Sequence, residues 1–256
     1  MIFIDSSIHL SMRGLYMKLY YSIKQKLIEL IYSNIPRSGT ILLFHEVDND
    51  ISNCIEYPRN WISRDSFTTL IEYIQKNAEI KPIGSVLTNM QRNNIIITFD
   101  DVYRNFYYNA YPLLKKYSIP FCLFVTVDRI DKEYYLTSEM IEDLTKEPLC
   151  TIGSHSITHK KLRFLKLVSI IDEINNSKAI LEKKISKPVK YFAFPYGSYY
   201  AVSFKNIGCV KKAGYTAAFS TIYSDLNIFS KLNRYFLPRR NVNEDNYKEI
   251  LEGLIL

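Results

Sequence analysis

From residue 41 onward, short apolar runs alternate with longer stretches in which apolar residues return every three or four positions. The runs are ILLFHEV (41–47), IIITF (95–99), PFCLFVTV (120–127), LCTIGS (149–154), KYFAF (190–194), TAAFST (216–221) and RYFLP (234–238). Each has strand length. The stretch 166–185 places Leu167, Ile170, Ile171, Ile174 and Leu181 at helical spacing, and further helices are expected near 65–77, 104–117, 138–146, 203–213 and 244–254. Strands alternating with helices imply an α/β fold, a mostly parallel sheet covered by helices. About seven parallel strands fit a distorted (β/α) barrel, although a doubly wound open sheet has the same one-dimensional pattern. In both, a site belongs where the C-terminal strand ends meet their loops.

Ahead of this alternation, residues 15–32 put Leu15, Leu19, Ile23, Leu27, Leu30 and Ile31 roughly along one helical face, interrupted by Lys18, Lys24, Lys26 and Glu29. Those charges argue against a spanning helix. The favoured reading packs this face on the domain; a peripheral membrane contact or a partner helix is the second. With no internal repeat or low-complexity linker, the expected organisation is an N-terminal helical extension over 1–38 and one catalytic domain over 39–256. The first dozen residues carry Asp5 and His9 and no basic start, so no export signal is expected and the location is read as cytoplasmic or membrane-peripheral.

Composition changes this picture little. Hydrophobic residues make up 47% and charged residues 23% of 256, which excludes disorder. The net charge of +7 is spread without a dense Lys/Arg run, so nucleic acid is not an expected partner, while attraction to an anionic glycan or a membrane stays open. Four scattered cysteines without a CxxC pair indicate neither a disulfide scaffold nor a thiolate zinc site.

Chemistry collects at the strand ends. Asp100 and Asp101 close the run 95–99; His155 follows 149–154, with His159 four residues on; Pro195, Tyr196 and Gly197 follow 190–194; Arg239 and Arg240 follow 234–238; His45 lies near the end of the first strand. Two adjacent like charges at a strand end need a partner. The four-residue spacing of His155 and His159 would place both imidazoles on one face of a helical turn. HxxxH alone is weak, and a pair of aspartates can simply cap a helix. Together, two histidines and a carboxylate form a common ligand set for Zn²⁺ or a similar ion.

Three segments now carry a resemblance. TFDDVYRNFYYNAYPLLKKYSIPFCLFV, SHSITH and FAFPYG, in that order over roughly residues 40–245, are similar to the motifs of the polysaccharide deacetylases, or NodB-homology domains, in a permuted branch acting on bacterial surface polysaccharides. The resemblance implies a metal-dependent hydrolase that removes N-acetyl groups from amino sugars of an N-acetylated glycan. It makes Asp100 the catalytic base and Asp101, His155 and His159 the ligands of a divalent ion, Zn²⁺ by preference, with Co²⁺ or Ni²⁺ accepting the same set. The backbone N–H of Tyr196, after Pro195, would bind the oxyanion. No histidine lies beyond His159, so His45, in LLFHEV, is the candidate general acid. Arg239, in LPRRNV, is the candidate partner of Asp100, with Arg240 as alternative. Where the family commonly has glycine after the second aspartate, this chain has Val102; a β-branched residue resists positive φ, so an ordinary backbone turn is expected there. The rival readings are a non-catalytic carbohydrate-binding relative and a metal-dependent phosphoesterase.

Overall fold

The computed structural model describes residues 6–50, 54, 58–88 and 90–255. The first five residues, which belong to the expected N-terminal extension and include Asp5, lie outside the described residues. The strands are β1 (Thr40–Phe44), β2 (Glu46–Val47), β3 (Trp61–Ile62), β4 (Glu79–Ile80), β5 (Asn94–Asp101), β6 (Phe121–Val125), β7 (Cys150–Ser154), β8 (Tyr191–Ala193), β9 (Ala217–Phe219) and β10 (Arg240–Asn241). The helices are α1 (Ser6–Ser33), α2 (Arg64–Asn77), α3 (Tyr111–Lys116), α4 (Ser138–Lys146), α5 (Leu167–Ile185), α6 (Phe204–Lys212), α7 (Ile228–Leu232) and α8 (Tyr247–Ile255).

The main sheet runs β10-β1-β5-β6-β7-β8-β9, with β4 added at the start of β5, and every pairing is parallel. Strand order rises steadily around the sheet and the last strand lies beside the first. A doubly wound sheet would reverse direction at a switch point; this one curls into the expected distorted barrel. β2 and β3 form a separate two-stranded sheet beside it.

Side chains alternate across each strand, so the sheet serves two cores. Ile95, Ile97 and Phe99 of β5 join the layer between sheet and helices, while Ile96 joins an inner cluster with Ile41, Phe124, Tyr191, Phe219 and Leu237. Thr98 and Asp100 share the parity of Ile96 and are therefore carried inward. The helices close the outer layer: α2 buries Phe67, Leu70, Ile71 and Ile74, and α5 buries Ile170, Ile174, Leu181 and Ile185. The Ser63 side chain caps α2 by accepting from Ser66 N–H, as expected of an N-cap serine.

Three expectations need correction. The run 234–238 is not a strand. Leu237 makes only an isolated bridge to Phe219, Pro238 has no N–H to give, and pairing with β1 begins at Arg240. One bent segment thus touches β9 and then β1, closing the curl. The helix expected over 104–117 contains a π-helical turn at Phe106–Ala110, with Tyr111 N–H reaching back to Phe106 O. Pro112, in the first turn of α3, cannot donate and crowds the preceding turn, which widens.

The third correction concerns α1. It was expected to press its apolar face on the domain, and it does the opposite. Leu15, Leu19, Ile23, Leu27, Leu30 and Ile31 are all exposed. The domain instead receives Tyr21, Gln25 and Glu29, which bond to Arg163, Tyr199 and Tyr223.

Candidate active site

A cleft of about 330 Å³ opens at the C-terminal strand ends and is lined by Leu43, His45, Asn60, Asp100, Asp101, His155, His159, Tyr196, Thr221 and Asn241. Six of the eight residues expected at the site therefore meet in one cavity. Arg239 lies beneath it and Pro195 is buried behind Tyr196.

Arg239 is fully buried, its guanidinium 5.4 Å from the Phe124 ring centroid and 5.9 Å from that of Phe219. Its Nη1 and Nη2 donate to the two oxygens of Asp100 at 2.7 and 2.6 Å, and its Nε to Ser220 O at 2.9 Å. The choice between two neighbouring arginines is thus resolved by the fold. Arg240 turns the other way and pairs with Asp225 at 2.6 Å. A bidentate, planar pairing holds the carboxylate in one orientation. Burial by itself raises the Asp100 pKa; the charge of Arg239, followed by His155, outweighs burial, and the net direction is down.

Asp101 is presented by a tight turn in which Val102 N–H bonds to Asp100 O at 2.6 Å. Both Asp101 (φ 60°) and Val102 (φ 54°) occupy the left-handed region, so the expectation of an ordinary turn at Val102 is wrong. What compensates is burial: the Val102 side chain is 2% exposed within the outer core. Desolvation would raise the Asp101 pKa, but His159, His155, His45 and Arg129 together bring it down.

The two imidazoles do not converge through a helical turn. Residues 155–161 form a loop, with Ser156 (φ 68°) and His159 (φ 57°) left-handed. Serine and glutamate side chains hold it in place. Ser154 Oγ accepts from Ser156 N–H and Ser156 Oγ from His159 N–H. Glu173 of α5, itself buried, accepts from the N–H groups of Ile157 and Thr158 at 2.9 Å each and from the Thr158 hydroxyl. The result brings His159 Nε2 to 3.3 Å and His155 Nε2 to 4.0 Å from Asp101 Oδ1.

These three residues fit a divalent cation. Their ligand atoms all lie within 4.8 Å of one another. His155 Nδ1 is 2.8 Å from Ala193 O; a carbonyl only accepts, so Nδ1 carries the proton and Nε2 offers its lone pair to the cluster. Burial lowers the His159 pKa to about 3, with Asp101 opposing, which keeps this ring neutral at ordinary pH. Burial likewise lowers His45, against the pull of Asp100 and Asp101.

Opposite the cluster, Tyr196 (φ 60°) and Gly197 (φ 44°) turn the chain sharply after Pro195. A Cβ on Gly197 would come within 2.4 Å of Thr221 N, so only glycine lets these two loops touch. Among the described residues no hydrogen-bond partner takes the Tyr196 N–H. Its ring lies 4.8 Å from that of His159, under Lys161.

The sequence pointed to neither Asn60 nor Thr221 nor Asn241 in the lining, nor to Thr126 and Arg129 beside Asp101. Asn241 alone carried a usable signal, being two positions from Arg239 and so of the same parity. Trp61, the chain's single tryptophan, does not line the cleft; its indole N–H donates to Asp48 O at 2.8 Å.

Comparison with known proteins bears on the family and the fold. The poly-β-1,6-N-acetyl-D-glucosamine N-deacetylase of Staphylococcus aureus is 27% identical over 174 residues, covering 63% of this chain and 58% of that protein; the chain thus spans less than two thirds of that relative's length. Among solved structures, the Streptococcus pyogenes deacetylase PplD in complex with acetate superposes with a TM-score of 0.71 at 18% identity, over 86% of this chain and 99% of that one. IcaB from Ammonifex degensii gives 0.71 at 20%, over 86% and 98%. These two show the shared fold. The polysaccharide deacetylase family model matches residues 88–218, just over half of the chain and the span that holds Asp100, Asp101, His155, His159 and Tyr196, and the chain belongs to that family.

Proposed function

We propose that the cleft hydrolyses the acetamide of N-acetylated amino sugars in a polysaccharide or glycan precursor. The first substrate to test is β-1,6-linked N-acetylglucosamine, because the curated relative is named for it. One observation carries the reading: an aspartate clamped by a buried arginine stands next to a second aspartate that shares a cluster with two histidines.

In this reading Asp101, His155 and His159 hold a divalent ion, Zn²⁺ before Co²⁺ or Ni²⁺ on the nature of the ligands. When bound, such an ion supplies Lewis acidity and acidifies water. Asp100 is the base, and its Oδ2, 3.9 Å from His155 Nε2, faces the cluster and receives the proton. Arg239 keeps that carboxylate ionised until then and fixes its lone pairs. The Tyr196 N–H, aimed by its left-handed backbone, stabilises the oxygen that gains negative charge. His45, once protonated, gives the proton that lets the sugar amine leave; burial lowers its pKa, and the charges of Asp100 and Asp101 oppose that.

The test is acetate release from β-1,6-linked N-acetylglucosamine oligomers by protein whose metal content has been measured. Asp100→Asn is expected to bind metal normally and release acetate more slowly by a factor of about 10² or more. Normal acetate release by that variant removes the base assignment. Oligomer binding without acetate release supports a carbohydrate-binding role instead, and phosphate release from a model phosphodiester supports a phosphoesterase.

A further inference from the structure

The mounting of α1 runs against the usual rule for a surface helix, which turns its apolar stripe inward. Its half-buried positions are Tyr21, Lys24, Gln25, Ile28, Glu29 and Tyr32, polar or aromatic but for Ile28. Tyr21 accepts from Arg163 Nη1 at 3.2 Å and lies under that guanidinium; Gln25 Oε1 accepts from Tyr199 N–H; Glu29 Oε1 accepts from Tyr223 N–H at 3.0 Å; Tyr32 stacks on Phe229. The outward positions Leu15, Leu19, Ile23, Leu27, Leu30 and Ile31 are 50–66% exposed, as are Tyr16 and Tyr20 at 71% and 53%. We infer that α1 is a surface for an anionic lipid bilayer, lying in the interface with this face among the headgroups and upper acyl chains.

Three features select a bilayer over a second copy of the chain. At about 100° per residue the outward apolar side chains cover an arc of about 160°. A two-stranded coiled coil uses a narrow seam instead. Lys26 falls near one border of that arc, where its stem can follow the apolar surface and its ammonium group reach lipid phosphates, while Lys24 at the other border lies over the Tyr199 ring. Between residues 14 and 33 the sole acidic residue is Glu29, and it is turned inward onto Tyr223, in a chain of net charge +7. No described helix is long and apolar enough to cross a membrane, so the helix lies along the surface.

The elements that α1 contacts also expose apolar side chains. Phe164, next to Arg163, and Ile228 and Leu232, either side of Phe229, are exposed by 52%, 67% and 81%. The loops that α1 grips are also those of the cleft: Tyr199 follows Tyr196, and Tyr223 follows Thr221. A bilayer under α1 therefore holds the mouth of the cleft close to the membrane. The inference does not depend on the reaction proposed for the cleft.

The full chain is tested by co-sedimentation with vesicles of phosphatidylglycerol and phosphatidylcholine, and of phosphatidylcholine alone. Binding is expected on the anionic vesicles, weaker on the neutral ones. A Leu19→Glu, Ile23→Glu, Leu27→Glu triple variant is expected to bind at least about 10-fold more weakly. Its thermal midpoint and turnover of a soluble oligomer should not change, since these side chains face away from the domain. Absence of wild-type binding, or unchanged binding by a folded triple variant, overturns the inference. So does a wild-type dimer, seen by sedimentation without vesicles, that the same substitutions dissociate.

Discussion

Val102 shows how a side chain can stabilise a backbone conformation it disfavours. A left-handed β-branched residue costs about 1–2 kcal/mol, and burying an isopropyl group returns about 1.5–3 kcal/mol. The balance favours valine, and it reverses an ordinary ranking. At a buried strand end, alanine is normally more stable than glycine. Here Val102→Gly relieves the φ constraint that Val102→Ala retains, so the glycine variant should be the more stable of the two by about 1 kcal/mol. Urea unfolding of both variants checks this, and the opposite order would mean that the turn relaxes out of the left-handed region.

The buried titratable groups of the cleft predict a pH dependence for the metal-free protein. His159 titrates at about 3 in the fold against 6.5 unfolded, and His45 is shifted the same way by burial. Between those values the unfolded chain binds protons that the fold refuses, so stability falls as pH drops below about 6.5. Asp100 and Asp101 are also lowered in the fold from 3.8. Their contribution is complete above that value and is lost as pH falls through their folded pKa. The urea midpoint should therefore be lower at about pH 5 than at about pH 7.5, and lower again near pH 3. A flat profile between about pH 7.5 and 5 would show that the two rings are charged in the fold.

The loop that carries His155 and His159 is held from outside by one side chain of α5. Glu173 carries three hydrogen bonds to Ile157 and Thr158, between the two histidines. Removing it leaves every ligand in place and frees the segment that spaces them. Glu173→Ala is expected to weaken Zn²⁺ affinity by about 10–100-fold, as for other supporting groups around metal ligands. Titration calorimetry on the folded variant measures this; wild-type affinity would mean that the backbone alone orders the loop. Neither the loop conformation nor its support was legible in SHSITH. A four-residue spacing is compatible with a helical turn, and only contact with α5 shows which N–H groups are already taken.

For the molecule as a whole, one cluster ties ligand binding to global stability. Asp101 comes from β5 and His155 and His159 from the loop after β7, while β8 orients His155 through Ala193 O, so the cluster forms only when the curled sheet does. An ion that binds the fold and not the unfolded chain stabilises by about 2.7 kcal/mol at a hundredfold excess over its dissociation constant. Adding Zn²⁺ should raise the calorimetric melting temperature, and a chelator should reverse the rise. No shift at saturating metal would remove the ligand assignment.

Local pattern alone determined that strands and helices alternate in a parallel arrangement, and that acidic, imidazole and guanidinium groups fall at one end of it. Apolar runs and 3.6-residue periodicity report which faces must leave water, and that information is local. Tertiary structure decided what depends on neighbours distant in sequence. It chose Arg239 over Arg240 by the parity of the segment that closes the barrel. It accepted positive φ at Val102 because burial outweighs the cost, and it built the histidine loop on Glu173. It also turned the apolar face of α1 outward, since the hydrogen bonds from Arg163, Tyr199 and Tyr223 engage the opposite face, and no periodicity in the helix itself encodes which face meets the domain.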